Sequence, residues 1–238
     1  MALANSSSSQ MDGQVSRRHF LGGSMAGIAG ILGAASIEFL QPDMIGAQTN
    51  LTPDQALQHL MEGNERFVSD NLSELHSSLN ILRQHTVEKQ EPFAAVLSCA
   101  DSRVPVELVF DQTIGQLFVT RVAGNFSTPE IMGSLEYGAA ELGTKVIMVL
   151  GHSSCGAVKA TMAGKDVPGE ISSLFAHIQP AVDMSGGDLE KAVKENAKLQ
   201  ARLLAESSTV LSGLVKEGNL KIVAGYYDLG TGRVSLLS

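Results

Sequence analysis

The sequence predicts an α/β domain, a central and mainly parallel β-sheet flanked by helices. Two observations carry this reading. Short uninterrupted apolar runs, of which "KVIMVLGH" at residues 145–152 is the clearest, have the length and β-branched content of strands buried on both faces. Between them lie longer stretches with helix-start chemistry, and strands alternating with helices imply parallel neighbours joined by crossovers. Composition agrees, because 238 residues with 44% hydrophobic and 18% charged side chains can bury a core without staples. The 17 Lys and Arg stand against 25 Asp and Glu, a formal net charge of −8, and there is no basic tract. Nucleic-acid binding, which needs clustered cations against phosphates, is therefore not expected.

The first segment is set apart from this domain. A Ser-rich start leads to Arg17 and Arg18 ahead of Phe20 and Leu21, then to an uncharged Gly- and Ala-rich run from Phe20 to Ile37. This is the arrangement of an export signal of the twin-arginine type; a Sec signal or a membrane anchor is the alternative. Gly22, Gly23, Gly27, Gly30 and Gly33 make the run weakly apolar, whereas spanning takes about 20 predominantly apolar residues. "IGAQ" permits cleavage after Ala47 and "GAAS" after Ala35. The expected division is an export segment, 1–47, and a domain, 48–238, in the periplasm or another extracytoplasmic compartment. Membrane contact is expected only through an uncleaved segment.

The elements of the domain follow in order. "NLTPDQALQHLMEGNERF" starts a helix, with Thr52 as N-cap, Pro53 at the first position and Gln55 as capping-box partner. Leu57, Leu60 and Met61 form its apolar stripe. After a polar segment to about Glu91, "FAAVLS" and "QLFVTRV" read as strands. A second capping box, Ser127 with Glu130, opens a helix with Pro129 in its first turn, Ile131, Leu135 and Leu142 on one face, and Gly143 at its end. The strand at 145–152 comes next. One long helical region is expected from about Asp188 to Lys216, with Gly218 past its end. "KIVAGYYDLGTGRVSLL" closes the chain as a strand, a turn around Gly230–Gly232 and a short strand.

Chemistry concentrates in two stretches. In "SCADSRVP", Cys99, Asp101 and Arg103 stand at alternate positions directly after a strand, and period-two alternation would turn all three to one side. In "LGHSSCGAV", Cys155 follows His152 by three residues, also after a strand. Functional groups of an open parallel sheet gather beyond the carboxyl ends of its strands. Zinc prefers thiolate and imidazole, and three protein ligands leave one position for water or substrate. A closed structural finger would bring two close pairs, although Asp101 could close this set as a fourth ligand. Two cysteines in an exported chain would ordinarily suggest a disulfide; His152, Asp101 and Arg103 at the same strand ends favour the metal. Taken singly, His152 reads as a packing histidine, and Asp101 with Arg103 as an exposed ion pair of little energetic value.

"CADSR" followed by "GHSSCGAV" resembles the β-class carbonic anhydrases. The likeness extends over "GNERF" at 63–67, "FVTRVAGN" at 118–125, "GSLEYGAAELG" at 133–143 and "GYYDLGTGRV" at 225–234. It implies a β-carbonic anhydrase-like fold and the reversible hydration of carbon dioxide to bicarbonate and a proton. It implies one zinc per chain on Cys99, His152 and Cys155, with Asp101 and Arg103 as the catalytic pair beside the fourth position. It also implies a homodimer or dimer of dimers, with the helix around 53–64 packing on a partner, although that helix's stripe could equally cover its own sheet. Zinc brings the pKa of water from 15.7 to about 7, and two thiolates should make this site a weaker acidifier than three imidazoles. Asp101 would orient the resulting nucleophile, and Arg103 would keep Asp101 ionised and off the metal. In relatives this Asp can also move onto zinc and give an inactive form at lower pH. His59, His76, His85 and His177 are the candidates for a proton shuttle. A carbon disulfide or carbonyl sulfide hydrolase of the same fold is the rival enzyme, and a non-catalytic zinc or bicarbonate-binding protein the rival of another class.

Overall fold

The computed structural model describes residues 49–72 and 86–238. The segment expected at 1–47, together with His76 and His85, lies outside those residues. Among the described residues, five strands form one sheet: β1 (Ala94–Ser98), β2 (Leu117–Arg121), β3 (Val146–His152), β4 (Lys221–Tyr227) and β5 (Val234–Leu237), in the order β2-β1-β3-β4-β5. The first three pairings are parallel and β4 with β5 is antiparallel, as expected of a mainly parallel sheet closed by a hairpin. After β1 the chain runs to β2 on one side, then returns to β3 on the other. The β1–β3 crevice is thus the topological switch point, where open α/β sheets hold their ligands.

Alternation along β3 divides the core. Val146, Met148 and Leu150 face a cluster completed by α1 (Pro53–Val68) and α2 (Val106–Val109). Ile147 and Val149 face α3 (Pro129–Ala140), α6 (Leu189–Ser207) and α7 (Thr209–Lys216). Both faces being covered explains why β1 and β3 are apolar at nearly every position.

The α1 helix begins with the expected capping box. Thr52 Oγ1 accepts from Gln55 N at 3.2 Å and Gln55 Oε1 accepts from Thr52 N at 2.9 Å. Its stripe covers its own sheet, Ala56 and Leu60 lying wholly buried among Val96, Met148 and Leu150. Close approach to the end of α2 requires Gly63, where an added Cβ would stand 1.8 Å from Phe110 O. Asn64 then donates to Val109 O and Gly232 O and accepts from Val234 N, which ties the N-terminal helix to the last strand. Arg66 Nε meets the buried Asp111 carboxylate at 2.5 Å.

Two local expectations are corrected. The N-cap of α3 is Thr128 and not Ser127, because Pro129 occupies the first helical position and Ser127 N donates instead to Gln200 Oε1 at 2.9 Å. The region from Asp188 to Lys216 is two helices, α6 and α7, broken at Ser208. Ser208 is extended, caps Leu211 N and donates to Glu136 Oε1 at 2.6 Å, so tertiary pairing ends one helix and starts the next. The stretch between β3 and α6 forms α4 (Gly156–Ala163), a 3₁₀ turn (Gly169–Leu174) and α5 (Phe175–Ser185). No helix among the described residues is long and apolar enough to cross a membrane.

Candidate metal centre

Cys99 is the first residue past β1, His152 is the last of β3, and Cys155 caps α4. Because β1 and β3 are adjacent and in register to Ser98 and Leu150, all three arrive at one end of the crevice. Both Sγ atoms and the His152 ring nitrogen lie within 4.8 Å of one another, and all three residues are buried. No disulfide joins the cysteines. The turn between His152 and Cys155 needs a left-handed residue, supplied by Ser154 at φ 55.

The donor set fits a zinc ion. His152 Nδ1 faces Ser153 O at 2.9 Å, which assigns the ring proton to Nδ1 and leaves the Nε2 lone pair inward. Nε2 is buried and has no hydrogen-bond partner among the described residues. A buried nitrogen left so, beside two free thiols, is the signature of a ligand set. The Cys155 S–H donates to Cys99, which lowers Cys99 and raises Cys155, with burial adding to the rise.

Asp101 and Arg103 do not reach this place by strand alternation, since β1 ends at Ser98. A turn closed by Val104 N on Asp101 O brings Arg103 back onto Asp101. Arg103 donates from Nε to Oδ1 at 2.9 Å, from Nη2 to Oδ2 at 2.8 Å, and from its backbone N to Oδ1 at 3.0 Å. This fork holds the carboxylate well below its ordinary pKa, the Arg103 side-chain bonds being the largest cause. Asp101 Oδ2 stands 3.8 Å from His152 Nε2, at the edge of the trio, and is not grouped with the three.

Further residues complete the arrangement. Arg121 at the end of β2 donates to Cys99 O at 2.9 Å and Asp101 O at 2.6 Å, fixing the turn that carries both. Gly124 N donates to Cys99 Sγ at 3.3 Å. Arg121 and Gly124 fall inside "FVTRVAGN", but nothing in that string shows what they touch. Of the histidines proposed as shuttles, His59 stands edge-on to Phe93, with ring centroids 4.9 Å apart. His177 stacks on Phe126 at 4.3 Å, and Phe126 belongs to the buried apolar cluster around both thiols.

Residues 94–234 match the family described as "Carbonic anhydrase". A carbonic anhydrase of Mycolicibacterium smegmatis is 38% identical over 201 residues, covering 79% of this chain and 95% of the relative. Among solved structures, tetrameric β-carbonic anhydrases of Sordaria macrospora superpose with a TM-score of 0.63 at 18% identity, over 76% of this chain and 96% of that one. A Coccomyxa β-carbonic anhydrase in complex with acetazolamide gives 0.59 at 26% identity, over 76% and 86%.

Proposed function

The chain belongs to the β-carbonic anhydrase family, and from that premise we infer which of its residues do the family's chemistry. It catalyses the reversible hydration of carbon dioxide to bicarbonate and a proton, with zinc as cofactor. We assign Cys99, His152 and Cys155 as the residues that hold the zinc. The observation that carries the assignment is the buried trio with His152 Nε2 unbonded between two free thiols. Zinc there supplies a Lewis-acidic position that makes a water nucleophilic near neutral pH.

The chain's own residues do the rest. Asp101, ionised and clamped by Arg103, can only accept a hydrogen bond, so it takes the proton side of the attacking water and leaves the oxygen lone pair free for carbon dioxide. With both carboxylate oxygens engaged by Arg103, Asp101 is kept as orienter rather than fourth ligand. Phe126, Val158 and Ile178 wall the thiols from solvent, which strengthens the electrostatics between them and any bound ion. Stopped-flow hydration assays and metal analysis test this assignment together. Cys99→Ser should lose zinc and activity, while Asp101→Asn should keep zinc and lose activity. Turnover of carbonyl sulfide and not carbon dioxide would instead establish the sulfur-substrate hydrolase.

We also propose that residues 1–47 direct export and that the mature chain acts outside the cytoplasm as a homodimer or dimer of dimers. Arg17 and Arg18 ahead of the weakly apolar run support export, and the tetrameric Sordaria relatives support assembly. Changing both arginines to lysine should retain the protein in the cytoplasm. Light scattering on the zinc-loaded protein should give a mass of two or four chains.

A further inference from the structure

The α6 helix turns an apolar face to the molecule through Ala192, Val193, Ala197 and Ala201, yet two polar residues interrupt it one turn apart, Asn196 and Gln200. Asn196 is wholly buried and Gln200 nearly so. Both reach the same loop. Asn196 Nδ2 donates to Gly124 O at 2.8 Å and Gln200 Oε1 accepts from Ser127 N at 2.9 Å. The peptide that follows Gly124 is therefore held at both ends, because Asn125 N also donates to Val122 O at 2.9 Å. Gly124 has φ 92, a conformation that strains any residue with a side chain, and an added Cβ would also stand 2.5 Å from Ile178 Cδ1. A glycine in that conformation turns its neighbouring peptides easily unless something fixes them. What remains on its other side is the N–H that points at Cys99 Sγ.

We propose that Asn196, assisted by Gln200, is a positioning residue that aims the Gly124 N–H at the Cys99 thiolate and so sets how much charge that sulfur gives to the metal. An N–H directed at a thiolate draws charge off the sulfur, and outer partners of this kind hold a ligand in its productive orientation. Asn196 supplies the donor that the buried Gly124 carbonyl needs. Its own Oδ1 is buried with no hydrogen-bond partner among the described residues, while its Nδ2 satisfies the Gly124 carbonyl. The inference rests on Cys99 being a zinc ligand, and its test separates the two.

In the full-length wild-type protein loaded with a spin-active cadmium isotope, NMR should show scalar coupling from the metal to the Gly124 amide proton across the Cys99 sulfur. Asn196→Asp keeps the side-chain shape but sets an acceptor against Gly124 O. There the coupling should be lost, the thiolate-to-metal charge-transfer band of the cobalt-substituted protein should move to longer wavelength, and zinc affinity should fall by roughly 10–100-fold. Leu204→Ala, buried on the same helix in a cluster that contains neither thiol, is the comparator that lowers stability without these changes. Retained coupling and an unmoved band in Asn196→Asp would overturn the proposal. So would the same changes in Leu204→Ala, or an Asn196→Asp chain that fails to fold where Leu204→Ala folds. Absence of coupling from the metal to any Cys99 proton in the wild type would overturn the ligand assignment itself.

Discussion

Asp101 shows how much one side chain's role depends on its partner. Exposed to water alone, a carboxylate beside a zinc site would be drawn onto the metal as readily as it would orient a nucleophile. The planar guanidinium of Arg103 occupies both oxygens in a fixed fork, and the backbone N–H of the same residue adds a third bond. Asp101→Asn preserves shape but replaces one acceptor oxygen with a donor facing that fork. Hydration should fall by about 10²–10⁴-fold with zinc content unchanged, measured by stopped flow beside elemental analysis. Arg103→Lys tests the fork separately. A lysine retains the charge but cannot bond both oxygens in one plane, so activity should fall in a variant that still folds and binds zinc.

At the scale of elements, the joints matter more than the helices. The α1 helix is fastened at Asn64 and Arg66, which reach the end of α2, the loop after it and the final hairpin. Arg66→Ala would leave the buried Asp111 carboxylate without its guanidinium, at a cost of about 3 kcal/mol in urea unfolding. The break between α6 and α7 is a second joint. Ser208 caps α7 with one hydroxyl that also donates to Glu136 on α3. Ser208→Ala loses the cap and leaves Glu136 without that donor, and should cost about 1–2 kcal/mol by the same measurement. Neither joint touches the metal ligands, so both variants should keep wild-type zinc stoichiometry.

On the scale of the whole molecule, the sheet separates stability from chemistry. The two clusters that sandwich β1 and β3 contain none of the proposed zinc ligands; Cys99 and Cys155 sit in a third cluster and His152 ends β3 beside them. Stripping zinc with a chelator should therefore abolish hydration while far-ultraviolet circular dichroism keeps its shape, and added zinc should restore the rate. Collapse of the dichroism on chelation would show instead that the metal holds the fold.

Local signals carried the elements and the reactive residues. Thr52, Pro53 and Gln55 start a helix whatever surrounds them, because a cap is satisfied within four residues. The apolar runs of β1 and β3 need no neighbour to be recognised as buried strands, and a cysteine or histidine directly after such a run already lies at a strand's carboxyl end. Strand order, the break at Ser208 and the roles of Arg121, Gly124, Asn196 and Gln200 were settled only by the tertiary structure. Each rests on pairings between groups twenty or more residues apart, and an arginine, a glycine or a buried amide has the same local appearance whichever partner it finds. Asn196 and Gln200 did leave one trace, two amides spaced four apart within an apolar helical face. That spacing says they point inward together; only the folded chain shows that they end on the loop beside Cys99.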